Sequence, residues 1–89
     1  MLYAAKCYWP GVDAAGLART GERARRHADE HVTYLGSLLF PDDELVLCLF
    51  EAESATAVKH ASERTGIPCE RVMEYVWLAP TGMERSAAP

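Results

Sequence analysis

The chain has 89 residues, a formal net charge of −4, and 49 % hydrophobic against 25 % charged residues, the balance of one globular domain rather than a disordered segment. That acidic balance argues against a general attraction to nucleic acid, and the three cysteines, Cys7, Cys48 and Cys69, lack the CxxC spacing of a zinc knuckle or the even count of a disulfide framework. A reducing cytoplasm is therefore expected, and with no apolar run near the length of a bilayer span and no charged region ahead of an apolar leader, neither membrane nor export is predicted.

The first predicted element is a strand over Leu2 to Trp9, closed by Trp9-Pro10-Gly11-Val12, where Pro and Gly occupy the central positions of a type II turn. Asp13 is a helix cap, and Ala14, Leu17, Ala18, Gly21, Ala24 and Ala28 recur at helical spacing on one narrow face. Gly21 costs about 1 kcal/mol relative to Ala in mid-helix, so its missing side chain is read as serving a close helix-to-sheet approach. Arg19, Arg23, Arg25 and Arg26 crowd the same helix, but Glu22, Asp29 and Glu30 interleave with them as on a solvated face. A hairpin follows, with strands over Val32 to Phe40 and Leu45 to Ala52 joined by Pro41-Asp42-Asp43-Glu44. Ser54 caps a second helix that turns Ala57, Val58 and Ala61 inward, and Gly66-Ile67-Pro68 ends it. The last strand is predicted from Arg71 to Leu78, so residues 1–78 form one domain and 79–89, rich in Pro, Gly, Ala and Ser, form a flexible C-terminal tail.

Strand, helix, strand, strand, helix, strand is the ferredoxin-like βαββαβ order of an α+β domain, an antiparallel four-stranded sheet with both helices on one face. For a chain this size, apolar burial and ordering entropy nearly cancel at about 135 kcal/mol each. A second copy covering the bare sheet face is the expected remedy, giving a homodimer, a dimeric α+β barrel with a cavity between its sheets.

A two- or four-residue hairpin loop pairs Ser37 with Cys48, Leu35 with Phe50 and Leu38 with Leu47. Parity then assigns Val32, Leu38, Leu47 and Leu49 to the helices and leaves Thr33, Leu35, Ser37, Val46, Cys48 and Phe50 on the open face. On the first strand Lys6 shares a face with Tyr8, and a lysine belongs away from the helix-covered core. On the last strand Glu74 is assigned to the open face with Val72 and Val76, so Lys6 and Glu74 are expected to meet as a partly buried ion pair.

The segments Tyr8-Trp9-Pro10-Gly11-Val12, Tyr34-Leu35-Gly36-Ser37, Cys48-Leu49-Phe50-Glu51-Ala52 and Gly66-Ile67-Pro68 resemble a family of small bacterial domains of unknown function, some of whose members are described as nickel-binding. The similarity runs over residues 2–78 in the same order and spacing. The resemblance implies a ferredoxin-like homodimer and, as cofactor, nickel or another divalent transition metal. This chain departs from the family where members often carry Glu-Arg and it has Lys6-Cys7, and where members often carry a His and it has Ser62.

The metal ligands expected from the residues are Cys48, Glu74 and His31, since thiolate and imidazole donors suit late first-row divalent ions. His27 and His31 stand four apart with Glu30 between them, whereas His60 falls off the apolar stripe of the second helix. The first functional reading is a small cytoplasmic homodimer binding a metal ion in or near the inter-sheet cavity. The alternative is a cofactor-independent enzyme acting on a small molecule, an isomerase, cyclase or monooxygenase, with Lys6, Tyr8, Ser37 and Glu74 as its catalytic groups.

Overall fold

Leu2–Tyr8 forms a largely buried strand, β1, one of the two central strands of the sheet. The computed structural model describes residues 1–26 and 31–80. After β1 the Val12 N–H donates to the Trp9 carbonyl at 3.1 Å, closing the predicted turn. The Asp13 carboxylate accepts from the Gly16 N–H at 2.7 Å and so starts helix α1, Ala14–Arg26. Strands β2, Val32–Phe40, and β3, Leu45–Ala52, flank a short 3-10 turn over Pro41–Asp43. Helix α2, Ala55–Thr65, begins where the Ser54 hydroxyl accepts from the Ala57 N–H at 3.1 Å. Ala28, predicted inside the first helix, and residues 81–89 of the predicted tail lie outside the described residues.

Strand β4 spans Cys69–Tyr75, earlier than the predicted Arg71 to Leu78. The cause is its partner: Cys7 pairs with Cys69 and Leu2 with Tyr75, so β1 offers no backbone beyond Tyr75 to continue the ladder. The sheet is antiparallel in the order β2-β3-β1-β4. Helix α1 packs on β2, and α2 on β4 and β1, which is the ferredoxin-like arrangement. No helix among the described residues is long and apolar enough to cross a membrane.

The faces of the sheet differ from the parity assignment. Tyr3, Ala5, Cys7, Val46, Cys48 and Phe50 are buried with Ala24, Val58 and Ala61 of the helices, so Val46, Cys48 and Phe50 belong to the helix side and not to the open face. Leu38 and Leu47, paired with each other as predicted, point the other way. The hairpin register holds near the loop, where Ser37 pairs with Cys48, but Phe50 pairs with Tyr34 instead of Leu35.

The reason is a β-bulge: the register shifts between Tyr34 and Gly36, leaving Leu35 as the extra residue. Gly36 has φ +141°, a backbone conformation that a side chain rarely tolerates. Below the bulge Val32 and Tyr34 face the helices, and above it Ser37 and Leu39 do. Two residues three apart on one strand thus share a face, and the Tyr34 hydroxyl hydrogen-bonds to Ser37 Oγ.

Gly21 has the predicted role. A Cβ built there would meet the Tyr34 hydroxyl at 2.9 Å and its ring at 3.3 Å. Overpacking costs about 1–3 kcal/mol and the gain in helix propensity is about 1, so Gly21→Ala is expected to destabilise modestly. Because the nearest atom is the hydroxyl, the loss should shrink in a Tyr34→Phe background. Urea unfolding of the four proteins of this cycle measures it, and additive losses would remove Tyr34 as the cause.

Candidate functional site

Four places in the fold gather chemically competent side chains: the bare sheet face, a row of thiols beneath the helices, the end of the β2–β3 ladder, and the outer side of α1.

The bare face carries Lys6, Leu47, Leu38, Arg71 and Met73, as the strand pairings require. Lys6 keeps the predicted face, with its ammonium 5.2 Å from the Tyr8 ring centroid. Its cross-strand partner on β4 is Arg71, whereas Glu74 pairs with Tyr3, a helix-side residue. The expected Lys6–Glu74 ion pair is therefore corrected: the β1–β4 register sets Arg71 opposite Lys6, and Glu74, three residues further along β4, points to the other face. Tyr8, Leu38 and Phe40 remain 54 %, 44 % and 41 % exposed on the bare face. Two cations opposed on this face repel a metal cation from its centre.

The thiols lie on the opposite side. The Ser37 hydroxyl donates to Cys48 Sγ at 3.5 Å, and the Cys7 thiol reaches the Ala5 carbonyl at 3.5 Å. Cys7 and Cys48 are buried and Cys69, paired with Cys7, is half-buried. The thiol of Cys7 beside it, then the Ser37 hydroxyl, hold Cys48 below the ordinary thiol range against the effect of burial. Cys7 is pushed up, first by its contact with Cys48 and then by desolvation. Burial raises Cys69 and Tyr34 as well. Of the three thiols only Cys48 is shifted down, at the end of a hydrogen-bonded row that runs from Tyr34 through Ser37.

At the end of the β2–β3 ladder Val32 pairs with Ala52, so the residues just outside, His31 and Glu53, come together. His31 Nδ1 lies 3.7 Å from Glu53 Oε2. Both line a shallow cavity of about 360 Å³ with Glu51 and Thr33, and since Glu51 pairs with Thr33 on the bare side, this cavity opens at the rim of that face.

The sequence-predicted residues are therefore distributed. Lys6 and Tyr8 are neighbours on the bare face, Ser37 and Cys48 meet in the core, Glu74 is exposed on the helix side of β4, and His31 stands at the rim. Neither the four catalytic candidates nor the three metal candidates are brought to one place. His27 and Glu30 lie outside the described residues, and His60 is exposed on α2. Sequence reasoning missed Glu53 and Glu51, although the signal was present: His31 immediately precedes one hairpin strand and Glu53 immediately follows the other. It also missed Tyr34 and Cys7, which only the bulge and the β1–β3 register connect to Ser37 and Cys48.

A family profile described as "Nickel responsive protein SCO4226-like" matches residues 7–74. Among solved structures the chain is similar to the crystal structure of SCO4226 from Streptomyces coelicolor A3(2), with a TM-score of 0.78 and 22 % identity, covering 89 % of this chain and 100 % of that one. At that identity the likeness shows the fold, and it bears out the ferredoxin-like expectation. No curated protein matches the chain.

Proposed function

We propose, since the chain belongs to the SCO4226-like family of nickel responsive proteins, that it is a homodimer responding to a divalent transition metal at the rim of its bare sheet face. The observation that carries this reading is the His31–Glu53 pair, an imidazole and a carboxylate within 3.7 Å and beside Glu51. Nitrogen and oxygen donors of this kind suit nickel and its neighbours in the first transition row.

Among the described residues no group of three or more His, Cys, Asp and Glu side chains is close enough to hold a metal ion by itself. One chain supplies His31 and Glu53 and, on this reading, a second copy and water complete the set. The exposed Tyr8, Leu38 and Phe40 on the same face favour that second copy, because burying them contributes to association. A bound ion would supply a fixed positive charge between carboxylates and would stabilise the folded dimer by mass action. Cys48 and Glu74 lie away from this rim, and the Lys6–Arg71 pair disfavours a cation between the sheets.

Native mass spectrometry of the metal-free protein titrated with nickel reads both parts of the proposal. The parent is expected as a dimer that takes up nickel, His31→Ala should lose most of the uptake, and Glu53→Gln should weaken it. Cys48→Ser and Glu74→Gln should bind as the parent does. A parent that stays monomeric, or binds no nickel, overturns the reading; undiminished uptake by His31→Ala moves the ligands elsewhere.

A further inference from the structure

The outer side of α1 carries a second set of functional groups, independent of the rim. Arg19, Arg23 and Arg26 stand at i, i+4 and i+7 and so share one face of the helix. They line, with Trp9, a cleft of about 640 Å³, a size usual for small-molecule sites. Arg25 behaves as a surface arginine should, bound to Glu22 at 2.7 Å. Arg19, Arg23 and Arg26 form no ion pair with any described residue. The two carboxylates at the cleft are already engaged: Asp13 accepts from the Gly16 N–H as the helix cap, and Glu22 binds Arg25. A chain of net charge −4 thus concentrates three guanidinium groups in one concavity with an aromatic wall.

We propose that this cleft binds a nucleotide-type polyphosphate, its aromatic ring against Trp9 and its phosphates along Arg19, Arg23 and Arg26. The planar guanidinium forks match phosphate oxygens two at a time, and an indole offers a face for base stacking. The three arginines span about 10 Å of helix at about 1.5 Å per residue, so an extended di- or triphosphate engages more of them than a single phosphate does. The flat ring supplies the part of the ligand that the arginines cannot discriminate.

The test uses Trp77→Phe protein, in which Trp9 is the remaining tryptophan. Its fluorescence is followed during titration with ATP, pyrophosphate and adenosine, in metal-free buffer with a chelator and at low salt. ATP is expected to quench Trp9 saturably, and Arg19→Ala and Arg23→Ala should each weaken binding roughly tenfold. Lys59→Ala, an exposed cation on α2 outside the cleft, should leave it unchanged, and adenosine should bind far more weakly than ATP. Absence of saturable quenching, or an equal loss in Lys59→Ala, overturns the site. Pyrophosphate binding as tightly as ATP removes the role of Trp9 and with it the nucleotide assignment. A single-stranded oligonucleotide that outcompetes ATP overturns the proposal in favour of a nucleic-acid surface.

Discussion

Phe50→Ala is expected to lower the unfolding free energy by about 3–5 kcal/mol, a large share of the roughly 5–15 that holds a domain of this kind together. Phe50 is 2 % exposed and its ring packs against Tyr34 at 5.5 Å between centroids. Truncation therefore leaves a cavity between β2, β3 and the helices and frees the ring that organises Ser37 and Cys48. Leu38, on the bare face and 44 % exposed, should cost under about 1 kcal/mol when cut to Ala in a single chain. Any larger loss at Leu38 should depend on protein concentration, because it would reflect a second copy on that face. Urea titrations at several concentrations decide the ranking, and a Leu38 loss exceeding that at Phe50 without concentration dependence would restore the opposite face assignment.

Stability is expected to fall as pH rises above about 8.5, the ordinary thiol range. The proximity of Cys48 and then burial keep Cys7 protonated in the fold, while the unfolded chain releases that proton. Above this range the unfolded state binds fewer protons than the native state, so the unfolding free energy declines, by up to about 1.4 kcal/mol per pH unit for one such group. Cys69, raised by burial, adds a smaller change of the same sign. Cys48 contributes in the opposite sense but earlier: its lowered value adds stability as pH rises toward the ordinary range and nothing further above it. Maximum stability is thus expected just below the thiol range, and replacing both Cys7 and Cys48 with Ala should flatten the decline between about pH 8.5 and 9.5, since Cys7→Ala alone leaves burial to raise Cys48. A parent protein with no decline there, or an unchanged slope when both thiols are removed, would separate the Cys7–Cys48 pair from the effect.

The elements, their order and most of their ends were legible in the residues because local rules govern them; the ends of β4, set by its pairing with β1, were not. Pro10-Gly11 closes a turn, Asp13 and Ser54 accept hydrogen bonds from the next turn's amides, and Gly66 ends α2. The same local chemistry set the register beside the loop, where Ser37 meets Cys48 and Leu38 meets Leu47. Lys6 on the bare face and the close approach at Gly21 were also readable, one from the cost of burying an ammonium and the other from the cost of a glycine in mid-helix.

Which strand residues meet the helices was decided by tertiary structure. Alternation along Leu45–Ala52 offers two faces that are both largely apolar, Val46, Cys48 and Phe50 against Leu47 and Leu49, so parity cannot choose between them. The helices choose, by covering the side that Ala5 and Cys7 of β1 also face, and the bulge at Leu35 lets β2 satisfy that choice on both sides of it. The β1–β4 register then separates Glu74 from Lys6, and the meeting of two strand ends brings Glu53 to His31. Contacts between residues distant in sequence depend on backbone pairing across the sheet, and a single inserted residue reverses every face beyond it.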